Sequence, residues 1–350
     1  MPRQRPFFKV AVPAGIGDIV WTLTKFPALR RRVNKEIYVT IAGRGVRRSE
    51  TFVNMFTFVD QANYGMVPIM CKGPGRDEEG YTRFAGSRFR YRKWDLFLIA
   101  NSHLEHGLPL EDWFTELDTD FEIGKEFVFQ EPCIENAKKL QAQIGPYAVF
   151  YLGPKRGNTN TGHNRGGLWS IRDWCELTRY VINEKNCSVV LTGAPYDADF
   201  TRMYLRQLDN ESKGRVFNKV GETSIGQTYA NILYSKCCVS YQSGIGIFSI
   251  YLGVPTVLWW RPTGNSLAAP NKHPYIINED MGIAQAPPWA RTNGMYLREV
   301  YTKSTPESLA QKIDERGWFD LEIERNFTPR MTLEDIGKDM RCPMKSVNTG

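Results

Sequence analysis

The stretch VSYQSGIG at residues 239–246, followed by LGVPTV at residues 252–257, indicates the fold class most clearly. It predicts a strand at residues 238–241, a short turn, a helix at residues 245–252 and a second strand at residues 256–259. A strand joined to the next strand through a helix is the βαβ unit of parallel sheets. Since such sheets bind ligands at the carboxyl ends of their strands, the turn after the first strand is a candidate binding loop.

Short apolar strands and amphipathic helices alternate along the rest of the chain as well. Further strands are predicted at residues 7–12, 37–41, 57–59, 96–99, 148–152 and 188–191, and further helices at residues 173–184, 198–209, 225–234 and 305–316. The pattern predicts an α/β protein, and 350 residues suit two domains of about 100–200 residues each. We expect an N-terminal domain at residues 1–143, a C-terminal domain at residues 144–330 and a tail at residues 331–350.

The composition excludes several classes of protein. A hydrophobic content of 42% and a charged content of 24% are those of a globular chain, not of a disordered or collagen-like one. No stretch approaches the roughly 18–20 uninterrupted apolar residues of a membrane span, and the short apolar run near the N-terminus is typical of a first strand rather than a signal peptide. The seven cysteines form no CxxC pair, which favours reduced thiols and a cytoplasmic location.

Charge is distributed unevenly along the chain. Residues 1–100 contain 18 Lys and Arg against 8 Asp and Glu, whereas residues 101–135 contain 1 against 10. The basic half indicates an anionic partner such as nucleic acid, a phosphorylated glycan or a membrane surface, and the alternative interpretation is a solvated face. Within it, YTRFAGSRFRYRKW at residues 81–94 interleaves arginines with aromatic side chains, which could pair with phosphates and stack on bases.

Two further loops carry candidate binding residues. The glycines of PAGIGD, at residues 13–18, allow close approach of a ligand, and Asp18 either caps the following helix or points into a cleft. The loop at residues 153–167 contains Lys155, Arg156 and Arg165 among five glycines and precedes a helix with the capping box SIRD. Fixed positive charge at a helix N-terminus suits a diphosphate. Neither loop has the sequence of a GxGxxG dinucleotide site or a P-loop.

The turns on the predicted ligand edge of the second sheet belong to the same candidate site. Gln242, Ser243 and Gly244 end a strand and begin a helix, which is again an anion-binding geometry, and the turns at Gly193 and Glu222 follow other strands of this sheet.

Other motifs are interpreted as structural. The two DxD sequences, at residues 118–120 and 197–199, follow no clear strand, so a divalent-metal site is not favoured. HLEH at residues 103–106 lacks the spacing of a zinc site, and Cys237 and Cys238 lie on an apolar strand and are expected in the core. The chain has no GxSxG nucleophile elbow.

Taken together, these loops resemble glycosyltransferase family 9, the heptosyltransferase-like family of the GT-B fold. The similarity covers roughly residues 7–316 and is strongest in the second half. The matching segments are GIGD at 15–18, TL at 22–23, PAL at 27–29, LWS at 168–170, Trp174, VLTG at 190–193, GETS at 221–224, VSYQSG at 239–244 and LGVPTV at 252–257.

The resemblance implies two Rossmann-like domains facing each other across a cleft, the first holding the acceptor and the second a nucleotide diphosphate sugar. It gives Asp18 the position of the general base, which deprotonates the acceptor hydroxyl for an inverting displacement that requires no metal ion or other cofactor. The donor-binding residues are then Lys155, Arg156, Arg165, Gly193, Glu222, Gln242, Ser243 and Gly244. The acceptor-binding residues are Gly15, Gly17, Arg44, Arg88, Arg90, Arg92 and Trp94.

Two departures from the family pattern bear on the substrates. Members that use ADP-heptose usually carry Asp where this chain has Gln242 and His where it has Ile247, so the resemblance favours a different nucleotide sugar. The QSGIG cluster is similar to heptosyltransferase-like proteins of bacteriophage genomes, which are interpreted as enzymes that add sugars to hydroxylated DNA bases. Together with the basic first half, this similarity favours DNA with a hydroxymethylated base as the acceptor and the bacterial host cytoplasm as the location.

Two alternatives remain open from the sequence. One is an enzyme that glycosylates lipopolysaccharide core or another glycan, because such acceptors are also phosphorylated. The other is a non-catalytic protein that binds nucleotide sugars or nucleic acid, although Asp18 and the cationic loop count against it. The oligomeric state is not predicted.

Overall fold

Two β-sheets organise the chain, one before and one after the predicted boundary near residue 144. The computed structural model describes residues 8–13, 16–23, 26–34, 36–42, 51–59, 61–65, 81–83, 90–92, 101–102, 127–153, 169–241, 243–260, 295–300 and 304–322. In this part of the chain no helix is long and apolar enough to cross a membrane.

The first sheet is built on three parallel strands. Its elements are β1 (Phe8–Pro13), α1 (Ile16–Leu23), α2 (Phe26–Val33), β2 (Ile37–Ala42), β3 (Gln61–Gly65) and β6 (Asn101–Ser102). The strand order is β3-β2-β1-β6, and only the short β6 runs antiparallel to its neighbour. Two further strands, β4 (Tyr81–Arg83) and β5 (Arg90–Arg92), pair with each other in an antiparallel hairpin.

The second sheet has six strands, all parallel. Its strands are β7 (Tyr147–Tyr151), β8 (Ser188–Leu191), β9 (Val216–Asn218), β10 (Cys238–Tyr241), β11 (Thr256–Trp260) and β12 (Tyr296–Val300). Their order is β12-β11-β10-β7-β8-β9. Counted from β7 this is the order 3-2-1-4-5-6 of a Rossmann sheet, so the predicted α/β class is confirmed.

Helices cover both faces of the second sheet, and the two that begin at residues 198 and 225 start where the sequence predicts. They are α3 (Glu131–Ile144), α4 (Ile171–Arg179, continued by a π-helical turn at Tyr180–Glu184), α5 (Ala198–Gln207), α6 (Asn210–Lys213), α7 (Ile225–Leu233), α8 (Gly244–Tyr251) and α9 (Pro306–Asp314). The predicted capping box of α4 is present: Ser170 Oγ accepts the Asp173 N–H at 3.2 Å, and Asp173 accepts the Ser170 N–H at 2.7 Å.

The strand predicted at residues 57–59 is wrong, and the one predicted at 96–99 lies outside the described residues. Residues 57–58 form a turn, while the neighbouring strand is β3, whose sequence QANYG contains no β-branched residue. The apolar side chains Phe56 and Phe58 are buried in the core, which explains the misleading pattern. Backbone pairing with β2 makes β3 a strand, because its hydrogen bonds do not depend on side-chain type.

The two faces of the second sheet bury two separate cores. Val190, Cys238 and Leu258 face the core shared with α3, α7 and α8. Their strand neighbours Leu191 and Val239 face the core shared with α4, α5 and α9. This alternation follows from the period of two in a strand, and it makes the second half a three-layer α/β/α structure.

The first of these cores continues across the predicted domain boundary. Phe52 and Phe127 of the first half contact Phe248 on α8, with ring centroids 5.0 and 4.7 Å apart. The helix α3, which ends at Ile144, packs against α7, and the Gln227 side-chain amide donates to the Cys133 carbonyl at 3.1 Å. The two halves therefore share apolar contacts, and the boundary itself stays a prediction.

Candidate functional site

The strand order of the second sheet locates the candidate site. The chain leaves β7 towards one side of the sheet and β10 towards the other, so a crevice opens between the carboxyl ends of these two adjacent strands. In doubly wound sheets ligands bind at such a switch point. The loop with Lys155, Arg156 and Arg165 follows β7, and the turn with Gln242 follows β10. Those four residues lie outside the described residues, but both loops begin at this crevice.

The N-terminus of α8 is held rigidly beside the crevice. Ser243 caps the helix by accepting the Gly246 N–H at 3.4 Å, and its hydroxyl lies 3.1 Å from that of Ser240 on β10. The buried Tyr229 hydroxyl donates to the Gly244 carbonyl at 3.0 Å. A helix N-terminus fixed in this way presents its remaining N–H groups and its positive dipole end to a ligand.

The first half meets α8 at this same point. A Cβ atom built on Gly244 would lie 2.5 Å from Ile16 Cβ and 2.9 Å from the Gly17 nitrogen. A Cβ atom on Gly17 would lie 2.8 Å from Ile247 Cδ1. Only glycine permits this approach, which brings the N-termini of α1 and α8 together. Because both dipole ends are positive, their junction favours an anion.

The predicted base follows directly after this contact. Asp18 is the third residue of α1, and its neighbour Gly17 lies against α8. The structure thus brings Gly17, Ser243 and Gly244 together, although the sequence assigns the first to the acceptor and the others to the donor. Ile247 is buried against Gly17 and fills this helix contact with apolar atoms.

The turns that contain Gly193 and Glu222 lie together further along the same edge. The Gly221 N–H donates to the Gly193 carbonyl at 3.0 Å. Glu222 is exposed, and one of its carboxylate oxygens lies 3.7 Å from the exposed Lys219 amine. The Glu222 carboxylate is therefore accessible at the carboxyl edge, two strands away from the crevice.

The DxD sequence at residues 197–199 has a structural role at this edge. Asp197 is buried and accepts the Ala194 N–H at 2.8 Å, while Asp199 is exposed and pairs with Arg202. A Cβ atom on Gly193 would lie 2.8 Å from the Asp197 carboxylate, which explains the glycine. Within the described ranges no three His, Cys, Asp or Glu side chains cluster closely enough to hold a metal ion. The other DxD and HLEH lie outside those ranges.

Buried aromatic side chains hold the end of the cationic loop against the second sheet. Trp169, at the end of the cationic loop, donates its backbone N–H to the Tyr241 hydroxyl at 3.0 Å and its indole N–H to the Ser304 carbonyl at 2.7 Å. Its ring centroid is 4.6 Å from that of Trp259 on β11. These contacts fix the point where the loop returns to the sheet.

The cysteines of the described part are core residues. Cys237 and Cys238 are fully buried, as predicted, and all five described cysteines are free thiols. Burial raises the pKa of Cys238 to about 12 and that of Cys237 well above its ordinary value. Both thiols are therefore protonated at neutral pH and do not act as nucleophiles.

Of the predicted acceptor residues, the structure describes Gly17 and the backbone of β5. Arg90 and Arg92 are register partners of Arg83 and Tyr81 across the hairpin. The other predicted residues of this group, Gly15, Arg44, Arg88 and Trp94, lie outside the described residues.

Sequence reasoning missed two features of the site. The contact of Gly17 with Ile247 joins residues 230 positions apart, and only the glycines in the first turns of two helices hinted at it. Tyr196, which the sequence analysis passed over, is 57% exposed on the turn between Gly193 and Asp197. An aromatic residue within a polar strand-end turn, GAPYD, was the signal that could have found it.

Comparisons with known proteins concern the family and the fold of the chain. The model of glycosyltransferase family 9 (heptosyltransferase) matches residues 116–292, just over half of the chain. Among curated protein sequences no match is found.

Several solved structures share the fold at low sequence identity. A glycosyl transferase of family 9 from Veillonella parvula has a TM-score of 0.56 and 13% identity, covering 90% of this chain and 98% of its own. The ADP-heptose lps heptosyltransferase II of E. coli has a TM-score of 0.55 and 13% identity, covering 89% and 98%. The E. coli heptosyltransferase WaaC, solved with ADP, has a TM-score of 0.51 and 13% identity, covering 89% and 100%.

The two findings lead to one assignment. The structural similarity confirms the predicted GT-B fold, and the family match extends over half of the sequence. The chain therefore belongs to glycosyltransferase family 9, and it is a heptosyltransferase-like glycosyltransferase.

Proposed function

We propose that this enzyme transfers a sugar from a nucleotide diphosphate sugar to an acceptor hydroxyl with inversion, and that Asp18 is the general base. The observation that carries this proposal is the contact between α1 and α8, where Gly17 and Gly244 approach closely. Asp18 follows Gly17 in the chain, so a base on α1 would stand beside a donor held at the N-terminus of α8. A carboxylate near the acceptor hydroxyl accelerates its attack by accepting the proton.

The leaving diphosphate is stabilised by charge rather than by covalent chemistry. Lys155, Arg156 and Arg165 belong to the loop after β7, and Gln242, Ser243 and Gly244 to the turn after β10. Both loops start at the crevice of the second sheet. Cationic side chains and helix N–H groups there would neutralise the negative charge that develops on the departing diphosphate. Under this proposal the reaction needs no metal ion, and Gly193 and Glu222 contact the nucleoside.

For the acceptor we propose a hydroxymethylated base in DNA. The surplus of basic residues in positions 1–100 supports a polyanionic acceptor. In the β4–β5 hairpin, Arg83 is the register partner of Arg90, and Arg92 that of Tyr81. The QSGIG sequence supports membership among the phage-encoded enzymes, acting in the host cytoplasm.

A second acceptor class has an observation of its own in its favour. The similar solved structures named above include a lipopolysaccharide heptosyltransferase, and a lipopolysaccharide core is also anionic. Against heptose as the sugar stand Gln242 and the buried Ile247, which leave the donor site without the carboxylate and imidazole of ADP-heptose enzymes. The glycan alternative therefore replaces DNA as the acceptor, but it does not make heptose the transferred sugar.

The decisive experiment is a transfer assay with both acceptor classes. The protein is incubated with DNA containing hydroxymethylated bases, or with a lipopolysaccharide core, and with a panel of nucleotide sugars. Mass spectrometry of the digested nucleosides then detects an added hexose or pentose. Transfer to the glycan but not to DNA would replace the DNA acceptor by the glycan. Absence of transfer to either acceptor from every nucleotide sugar would contradict the proposed reaction.

The salt dependence of DNA binding, compared between charge-reversal variants, tests whether the basic surface of the first half contacts the phosphates. If the basic surface neutralises phosphates of duplex DNA, the logarithm of affinity falls with that of salt, with a slope of about −0.9 for each phosphate contacted. Replacing Arg88, Arg90 and Arg92 with Glu should flatten this slope and weaken binding to all sequences alike. Replacing Arg172, Arg179 and Arg202, exposed on helices of the second half, is the matched control and should leave the slope unchanged.

A further inference from the structure

One exposed aromatic side chain stands at the ligand edge of the second sheet. Tyr196 follows β8 by five residues and is 57% exposed. In the part of the chain that the structure describes, Leu321 at 37% is the other large hydrophobic residue with substantial exposure, and it lies beyond α9. The exposed part of an aromatic ring at a strand-end edge is a flat apolar surface on which a planar ligand can stack.

The turn that carries Tyr196 is held by two hydrogen bonds between Ala194 and Asp197. Residues Pro195–Asp197 form a single 3-10 turn, closed by a hydrogen bond from the Asp197 N–H to the Ala194 carbonyl at 2.9 Å. The buried Asp197 carboxylate accepts the Ala194 N–H in return, at 2.8 Å. A side chain on a backbone fixed in this way loses little conformational freedom when it binds, which favours affinity.

The turn with Gly221 and Glu222 packs against the turn that carries Tyr196. Gly221 packs so closely on Pro195 that a Cβ atom there would lie 3.1 Å from the Pro195 Cα. Gly221 has a φ of 76°, a left-handed conformation that favours glycine and allows this close packing of the two turns. Glu222 follows and is exposed, with oxygens that can accept hydrogen bonds from ribose hydroxyls or from a base amino group.

We propose that the base of the donor nucleotide stacks on Tyr196, with its ribose beside Glu222. The inference rests on the proposed function, because it assumes a nucleotide donor with its diphosphate at the crevice between β7 and β10. Every base has a flat π surface, so stacking on Tyr196 provides affinity for a nucleoside without selecting one base, and any selection falls to polar groups such as Glu222.

Calorimetric titration tests this inference with ADP, GDP, CDP, UDP and inorganic pyrophosphate as probes. In Tyr196→Ala, the Kd of the tightest nucleoside diphosphate should rise between about 5- and 150-fold, the range for loss of one stacked base. Tyr196→Phe keeps the ring and should bind within about twofold of wild type. Pyrophosphate has no base, so its Kd should be the same in all three proteins. Leu321→Ala, the control for loss of an exposed apolar side chain, should bind every probe like wild type.

The outcomes separate this inference from the function on which it rests. Wild-type affinity in Tyr196→Ala, or an equal loss of pyrophosphate and nucleoside diphosphate binding, would overturn the stacking role alone. Nucleoside diphosphates that bind wild type no more tightly than pyrophosphate does would also overturn it. A wild-type protein that binds no nucleoside diphosphate contradicts the proposed function and this inference together. Thermal unfolding should give the same melting temperature for all variants, since the side chain is exposed.

Discussion

At the scale of single residues, two carboxylates of one DxD sequence have different surroundings. Asp197 is buried and holds the turn after β8 through the Ala194 N–H, whereas Asp199 is exposed on α5 beside Arg202. A DxD that held a metal would need both carboxylates to face one ion. Because one carboxylate is buried in its own turn and the other is exposed, this DxD sequence has a structural role at the ligand edge.

The two residues should therefore respond differently to truncation. Asp197→Ala leaves the Ala194 N–H without its acceptor and should lower the free energy of unfolding by about 1–3 kcal/mol. Asp199→Ala, the matched control, should change it by less than about 0.5 kcal/mol, because an exposed ion pair contributes little. Urea titration measures both values. An equal loss of unfolding free energy in the two variants would contradict the structural role of Asp197. Stabilisation of the wild type by Mn²⁺ would also contradict it if either substitution abolished that stabilisation.

Asp18 is the residue on which the proposed chemistry depends. Asp18→Asn keeps the size of the side chain but removes its basicity, so turnover should fall by about two to four orders of magnitude. The Kd of the nucleoside diphosphate should stay near that of wild type, because the proposed donor loops belong to the second half. Steady-state kinetics and calorimetry measure the two effects. Near-normal turnover in Asp18→Asn would exclude it as the base.

At the scale of elements, α8 connects three parts of the molecule. Its first residue Gly244 lies against α1, and Phe248 enters the aromatic cluster of the first half. On its other side, a Cβ atom on Gly246 would lie 2.5 Å from Leu258 Cδ1 of β11. Small residues on two sides of this short helix allow it to approach both neighbours, so α8 sets the distance between the proposed base and the donor loops.

Replacing a glycine with alanine at each of two helix positions should distinguish the close contact of Gly244 with α1 from an ordinary van der Waals contact. Gly244→Ala places a methyl group 2.5 Å from Ile16 Cβ, and because the backbone must move, the free energy of unfolding should fall by about 1–3 kcal/mol. The control is Gly226→Ala on α7, where the nearest atom, Cys133 Sγ, is 3.4 Å away. There alanine should be neutral or stabilise by up to about 1 kcal/mol.

Chemical denaturation of the two variants provides the comparison. A Gly244→Ala protein as stable as Gly226→Ala would mean that α1 and α8 separate without cost. The contact could then not fix the position of Asp18.

At the scale of the whole molecule, one apolar core joins the two sheets. Phe52, Phe56 and Phe127 from the first half surround Phe248, together with Tyr229, whose ring centroid lies 4.7 Å from it. All five side chains are nearly or fully buried. Burial of so many aromatic rings across the boundary should couple the unfolding of the halves.

Hydrogen exchange can measure this coupling strand by strand. In the wild type, the slowest amides of β1–β2 and of β7–β10 should exchange with the same free energy. Phe248→Ala should destabilise the protein by about 3–5 kcal/mol and lower the protection of β1–β2 below that of β7–β10, because it removes the shared ring. Phe200→Ala, in the second core, is the control and should lower protection equally in both sheets. If the slowest amides of the two sheets exchanged with different free energies in the wild type, the two halves would unfold independently.

Much of the second half could be predicted from local sequence. The strands β8 and β10 have the predicted bounds, and the capping box at Ser170 and Asp173 is present, because these features depend on neighbouring residues. The strand β3 could not be predicted, since pairing with a distant strand decides it. For the site, the sequence identified Gly17, Ser243 and Gly244 as binding residues but assigned them to two separate groups, without their mutual contact.

The amino-acid sequence by itself therefore determined the α/β class, the glycine loops at the ends of the strands and the family resemblance. These depend on residue type and spacing along the chain, which a sequence displays directly. The tertiary structure decided that α1 meets α8 at Gly17 and Gly244, that Asp197 serves its own turn and that Tyr196 is exposed at the ligand edge. Such features depend on which distant surfaces pack together, because only that packing decides which side chains are buried and which remain accessible.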